Sequence, residues 1–124
     1  MSLLVWQAYW TLLRFHLYLA RGDFAGLHAR VRGCVCRKQQ AGPDAVREIC
    51  AAVDVACIWY WKEVLCLQRS AATAYLLKRH GVPAQMVIGA QQIPFKAHAW
   101  VEVGGVVVND KPYVGEIYSA LDRL

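Results

Sequence analysis

No glycine or proline interrupts the chain between Pro43 and Gly81. Because these two residue types are the strongest interrupters of helices, a stretch without them is typical of helical structure. After Gly81 the pattern changes to short β-rich runs, which are typical of strands. The order of helices first and strands afterwards predicts an α+β fold with a small antiparallel sheet.

Two helices are predicted within the uninterrupted stretch. The first begins near Asp44 and carries apolar residues at helical spacing. It should end at residues 58–61, a run of β-branched and aromatic residues that form helices poorly. The second covers residues 66–79 and is followed by Gly81 as C-cap and by Pro83. Small residues in its middle predict a buried helix that packs closely on the sheet.

The N-terminal residues 1–20 predict an amphipathic helix. Its apolar side should pack on the protein's own core. The alternatives are that it docks to a partner protein or to a membrane surface. Polar residues interrupt the helix too often for a transmembrane span, and no signal peptide precedes it, so we expect a cytoplasmic protein. The apolar side consists of Leu3, Trp6, Trp10, Leu13, Leu17 and Ala20.

Composition and charge restrict the classes of partner. Of the 124 residues, 57% are apolar and 19% are charged, which excludes disorder and leaves apolar surface for a partner. Six basic residues and one acid lie between Arg14 and Gln40. No nucleic-acid motif accompanies them, so we predict no nucleic-acid binding but a solvated face or a dock for an acidic partner.

The five cysteines do not predict a disulfide framework, because their number is odd and no secretion signal is present. Cys34 and Cys36 form a C-x-C pair without the second half-site that a zinc ion needs, so we predict no metal. Cys50 and Cys57 lie in an apolar helical pattern and are expected to be small buried residues.

Three other residues could form a cysteine-type triad. Cys66 begins the predicted buried helix, where the helix dipole stabilises a thiolate. His98 opens one predicted strand and Asp110 closes the next, so a hairpin could bring them together. The alternatives are a packing role for Cys66 and a structural hydrogen bond for His98. His80 lies at a helix C-terminus, where a cation is favourable in any case.

The hairpin register decides whether this triad can form. A two-residue turn at residues 104–105 would pair Ala99 with Asp110 and place His98 on the other face of the sheet. Another group, such as Asn109, would then have to orient the imidazole. The triad requires an odd-numbered loop or a bulge, which we therefore predict. In that register, one face of the sheet would point toward Cys66. It would carry His98, Trp100, Val106, Val108 and Asp110.

Several stretches resemble one family of enzymes. They are C-L-Q-R-S-A at residues 66–71, L-L-K-R-H-G-V-P-A at 76–84, V-I-G at 87–89, P-F-K-A-H-A-W-V-E at 94–102 and V-V-N-D at 107–110. Together they are similar to transglutaminase-like cysteine proteases, specifically to the leader peptidases of lasso-peptide biosynthesis in the microcin-processing family. The resemblance covers about residues 60–112 of the chain.

The resemblance implies a papain- and transglutaminase-like core and a cytoplasmic bacterial protease that needs no cofactor. Carried over to this chain, Cys66 is the nucleophile, His98 the general base and then acid, and Asp110 the orienting acid. The Cys66 backbone N–H is a candidate oxyanion donor, and Gln68 is a candidate for a second. Trp100 is expected to form a wall of the site.

The resemblance also implies partners. The substrate is the leader segment of a ribosomally made precursor peptide, a leader-recognition protein acts in trans, and the core peptide passes to an ATP-dependent macrolactam synthetase. We expect one domain, with a helical part at residues 1–40 and the catalytic core at 41–124. The rival functions are a transglutaminase-like acyltransferase and a non-catalytic peptide-binding module.

Overall fold

The computed structural model describes residues 3–36, 44–92 and 94–124. The four strands form one antiparallel sheet in the order β3-β2-β1-β4. The prediction of an α+β fold with helices first is confirmed. The elements are α1 Leu3–Ala20, α2 Phe24–Arg32, α3 Ala45–Trp59, α4 Cys66–Arg79, β1 Ala84–Gln92, β2 Phe95–Val103, β3 Val106–Val107, α5 Val114–Ile117 and β4 Ser119–Arg123.

Helix α1 forms where it was predicted, but it buries the opposite face. The buried side chains are Val5, Ala8, Thr11, Leu12 and Phe15. The predicted core stripe faces solvent instead, with 51% of Trp6 and 61% of Trp10 exposed. The expectation that this stripe packs on the protein's own core was therefore wrong. Within the described ranges, no helix is long and apolar enough to cross a membrane.

The reason is that α1 carries two apolar stripes. The buried one contains the small Ala8, and the Thr11 hydroxyl loses no hydrogen bond there because it donates to the Gln7 carbonyl at 2.7 Å. Helices α3 and α4 both pack against this side. A stripe with small and short side chains lets three helices approach closely, whereas the two tryptophans of the other stripe need more room.

Helix α4 is the central element, as predicted. Every residue from 70 to 78 is buried, and Ala71, Ala72 and Ala74 are fully enclosed. The helix ends at Arg79, and the positive φ of 86° at Gly81 turns the chain toward β1. These small side chains let α4 lie close to the sheet, so its first residue is held at a fixed place relative to β2.

The predicted break after α3 is also confirmed. Helix α3 ends at Trp59, and Tyr60 takes an extended conformation with its ring buried against Tyr9. The linker-like stretch at residues 37–43 lies outside the described residues, so the division into parts 1–40 and 41–124 stays a prediction. One core cluster includes residues of α1 to α4 and of the sheet.

Helix α5 and strand β4 were not predicted. Strand β4 lies at the sheet edge beside β1, and the chain end continues the pairing, since the Leu124 N–H donates to the Met86 carbonyl at 2.8 Å. All five residues of β4 are exposed, so the segment lacks the alternation that identifies a half-buried strand.

Candidate active site

The hairpin between β2 and β3 has a regular two-residue turn. Val103 pairs with Val106, and Gly104 and Gly105 form the turn with φ of 58° and 81°. A turn with two positive φ values is the one whose twist suits a hairpin, and glycine adopts it without strain. The predicted odd-numbered loop or bulge was therefore wrong.

The residues predicted to share the sheet face toward Cys66 consequently lie on both sides of the sheet. Trp100 packs with Val87 and Val107 in a small second cluster, away from the main core. Val108 packs against the main core, on the side where α4 lies. His98 shares the side of Trp100, because side chains alternate along β2.

His98 and Asp110 nevertheless meet, with 2.5 Å between His98 Nε2 and Asp110 Oδ2. Strand β3 ends at Val107, and the last ladder contact is the Val108 N–H donating to the Val101 carbonyl at 3.0 Å. Beyond that point the chain leaves the strand, so side-chain alternation no longer fixes the direction of Asp110. The contact that the register seemed to exclude forms in the loop after the strand.

Asn109 continues the hydrogen bonding along the edge of β2. From the sequence, it was considered only as an alternative partner to orient the His98 imidazole. Its side-chain oxygen accepts from the Val101 N–H at 2.7 Å, and its Nδ2 donates to Ser70 Oγ at 3.1 Å. The Ser70 hydroxyl in turn donates to the Ala99 carbonyl at 3.0 Å. This buried chain of hydrogen bonds joins α4, β2 and the loop that carries Asp110.

Cys66 is the first residue of α4 and is half-buried. It precedes Ser70 by one helical turn, about 6 Å along the axis, and Ser70 is bonded to Ala99 beside His98. Within the described residues, no hydrogen bond joins the Cys66 thiol to His98. The structure thus brings two of the three predicted catalytic side chains, His98 and Asp110, into contact. The third, Cys66, lies at the start of α4, and α4 packs on the side of the sheet opposite to the His98 ring.

The two candidate oxyanion donors differ in their surroundings. Gln68 is buried, and its Nε2 donates to the Leu12 carbonyl of α1 at 2.8 Å. This bond gives the Gln68 amide a structural role between two helices. The Cys66 backbone N–H belongs to the first turn of α4, where N–H groups have no intrahelical acceptor. The Gln68 side-chain amide is therefore already engaged, and the Cys66 N–H stays a predicted oxyanion donor.

The imidazole of His98 is held between a carboxylate and aromatic rings. It stacks on Tyr118 with ring centroids 5.1 Å apart and on Trp100 at 6.1 Å. The indole N–H of Trp100 is itself bonded to Glu102 Oε2 at 2.9 Å. Because Nε2 of His98 is hydrogen-bonded to Asp110, the other ring nitrogen, Nδ1, is the one that can exchange a proton with a neighbouring group.

Asp110 is held in its charged form. Partial burial alone would raise its pKa, but hydrogen bonds from His98 and from the Lys111 N–H outweigh burial and lower it, and the positive charge of Arg69 adds to this effect. A carboxylate that stays ionised stabilises the protonated imidazole beside it. The pair is therefore suited to hold and release one proton.

Among the described residues, the other cysteines show no sign of a catalytic role. None of the five forms a disulfide in the described part of the chain. Burial, and to a lesser degree the charge of Asp54, raises the pKa of Cys50 to about 11, and burial also raises that of Cys57. These two therefore remain protonated at neutral pH. In the described part of the chain, no three histidine, cysteine or acidic side chains are grouped to hold a metal ion.

Gly89 makes room for Trp100. A Cβ at Gly89 would lie 2.6 Å from Trp100 Cη2 and 3.0 Å from the Ser119 carbonyl oxygen. We expect Gly89→Ala to lower the free energy of unfolding by about 1–3 kcal/mol, because the rigid ring and the β4 backbone must both move. Thermal unfolding measures the loss. Gly115→Ala is the matched control, since a Cβ there meets no atom within 4 Å; equal melting temperatures of the two variants would contradict the close packing.

Comparison with known proteins agrees with this architecture. The family model described as the transglutaminase-like superfamily matches residues 9–122. The chain is 41% identical over 59 residues to the microcin J25-processing protein McjB of Escherichia coli, a stretch that covers 48% of this chain and only 28% of that protein. No solved structure matches the chain. Because the family model spans nearly its whole length, the chain belongs to the transglutaminase-like superfamily.

Proposed function

We propose that the chain is a cysteine peptidase that removes the leader from a ribosomally made lasso-peptide precursor. The observation that carries the proposal is the contact of His98 Nε2 with Asp110 Oδ2. The proposed nucleophile, Cys66, is the first residue of α4. The similarity to a protein named for processing microcin J25 supports the substrate class.

In the first step the Cys66 sulfur attacks the carbonyl carbon at the leader–core junction. The thiol proton moves to Nδ1 of His98, a C–S bond forms, and the carbonyl electron pair moves onto oxygen. The Cys66 backbone N–H donates to that oxygen, a contact worth about 3 kcal/mol in the transition state. Asp110 holds the ring and stabilises the positive charge on His98.

In the second step His98 returns the proton to the amine of the core peptide, and the C–N bond breaks. A thioester between the leader and Cys66 remains. Water, deprotonated by His98, then attacks this thioester and releases the leader as a free acid, with the thiol restored. Catalytic hydrogen bonds often form only with substrate bound, so we place the Cys66–His98 contact in the enzyme–precursor complex.

The partners follow the same proposal. In a bacterial cytoplasm, a leader-recognition protein presents the leader in trans, and an ATP-dependent macrolactam synthetase receives the core peptide. The exposed tryptophan-bearing face of α1 supports a need for such a protein partner, because contiguous apolar surface of this kind marks interaction sites. Trp100 is only 1% exposed, so it would support the His98 ring from within the second cluster and not form a wall of the substrate site.

Mass spectrometry of the products tests the function. The chain is incubated with a lasso-peptide precursor, with and without a leader-recognition protein. We expect a free leader acid and an intact core peptide, formed faster with the recognition protein present, since it supplies the leader contacts.

Other products would favour the rival functions. A new amide on the leader carboxyl would indicate an acyltransferase, because an amine would then have replaced water. Binding of the precursor without any covalent change would indicate a peptide-binding module. A rate that neither the recognition protein nor the leader sequence affects would contradict the partner in trans.

A further inference from the structure

Three arginines from three different helices converge on one tyrosine. Arg14 Nη1 of α1 lies 3.1 Å from the Tyr75 hydroxyl oxygen, and Arg79 Nη1 of α4 lies 3.4 Å from it. The guanidinium carbon of Arg30 in α2 lies 5.7 Å from the centroid of the Tyr75 ring. Three positive charges thus surround a single phenol.

No carboxylate neutralises this group. Among the described residues, none of the three guanidiniums forms an ion pair, whereas three other arginines each have an acidic partner. Like charges held together repel one another unless a counter-charge is supplied. The missing counter-charge can come from a bound anion. The paired arginines are Arg32 with Asp122, Arg69 with Asp54 and Arg123 with Glu102.

Tyr75 is fixed in place and offers a further donor. Only 6% of the residue is exposed, and Phe15 packs edge-on against its ring at 5.7 Å. Its oxygen accepts from two arginines, and in the described part of the chain no acceptor receives its own proton. Burial would raise the pKa of Tyr75, but the Arg79 hydrogen bond and the three positive charges lower it, which makes the phenol a better donor.

A cavity opens beside this group. Its volume is about 350 Å³, ample for a phosphate group and part of the molecule that carries it. Arg30, Arg79 and Tyr75 all line this cavity, whereas Arg14 lies outside the lining and reaches the group through its hydrogen bond to the Tyr75 hydroxyl. The lining includes Ala29, Arg30, Gly33, Cys34, Tyr75 and Arg79.

We propose that Arg30, Arg79 and Tyr75 form a binding site for a phosphate group, and that Arg14 adds its positive charge from behind the Tyr75 hydroxyl. A carboxylate has two acceptor oxygens and one negative charge, which a single guanidinium already satisfies. Three guanidiniums and a phenol offer more donors and more charge, and they match the three acceptor oxygens and the double charge of a phosphate.

The site is separate from the proposed active site. Tyr75 follows Cys66 by nine residues, about 13.5 Å along α4 and half a turn around it. It therefore lies on the side of α4 that faces α1 and α2, whereas Ser70 faces β2. The inference does not depend on the peptidase assignment.

Titration of the full chain with inorganic phosphate tests the proposal, with chloride at equal ionic strength as the reference. We expect heat of binding by calorimetry and a raised melting temperature. Arg30→Gln should weaken binding about tenfold, because one charge-assisted contact is lost. Arg30 is exposed and makes no hydrogen bond to Tyr75, so the variant should fold. Arg47→Gln, an exposed arginine of α3, removes the same charge elsewhere and should have little effect.

Vesicles of phosphatidic acid form the second arm, read by co-sedimentation. Binding of free phosphate that Arg30→Gln weakens supports a soluble ligand, and binding of vesicles alone with the same loss supports a lipid headgroup. Tyr75→Phe, which keeps the ring, should also weaken whichever ligand binds. The proposal is overturned if neither ligand binds, or if Arg30→Gln reduces binding no more than Arg47→Gln does.

Discussion

Replacing Cys66 with alanine should abolish cleavage of the precursor, with a loss of about a thousandfold or more. The sulfur forms the bond to the leader carbonyl, and without it only binding and oxyanion stabilisation remain. The substitution removes one half-buried atom at the start of α4. We therefore expect the fold and the binding of the recognition protein to be retained, as measured by circular dichroism and calorimetry.

Cys57→Ala is the matched control for the loss of a thiol. Cys57 is half-buried in α3, and burial raises its pKa, so it should remain a protonated packing group. Its alanine variant should cleave the precursor at nearly the wild-type rate. Substantial cleavage by Cys66→Ala, or an equal loss in both variants, would remove the peptidase assignment.

The sequence was sufficient to predict α4 because several local signals agree there. Small residues, a basic last turn, Gly81 and Pro83 all indicate the same helix, and the bounds Cys66–Arg79 match. The position of Cys66 at the start of a helix is therefore a consequence of local sequence. By contrast, β4 depends on pairing with β1 across the chain, and no local pattern reports such an edge strand.

The orientation of α1 could not be predicted for a different reason. Both of its long faces are apolar, so periodicity identifies a helix without deciding which face is buried. Packing between α3 and α4 selects the face with Ala8 and Leu12, and it leaves Trp6 and Trp10 in solvent. That selection is a property of the assembled core and not of the α1 sequence alone.

In the candidate site, the predicted His98–Asp110 contact forms although the hairpin register predicted for it was wrong. A bulge in the β2–β3 hairpin was predicted because side-chain alternation was taken to continue to Asp110. The strand ends at Val107, and Asn109 replaces the ladder with side-chain bonds to Val101 and Ser70. Alternation applies only within a strand, so the His98–Asp110 contact is compatible with a regular two-residue turn.

Replacing His98 with alanine should reduce cleavage almost as severely as the loss of Cys66, because no other group can carry the proton from the thiol to the leaving amine. Asp110→Asn should cost less, about tenfold to a hundredfold, since a hydrogen bond to a charged group contributes roughly 1.5–3 kcal/mol. Single-turnover cleavage at saturating precursor measures both losses. His80→Ala is the control, because His80 is exposed at the end of α4 and, among the described residues, its ring hydrogen-bonds only with Gln7. A larger loss for Asp110→Asn than for His98→Ala would contradict the assigned roles, since an orienting group acts only through the imidazole that it holds.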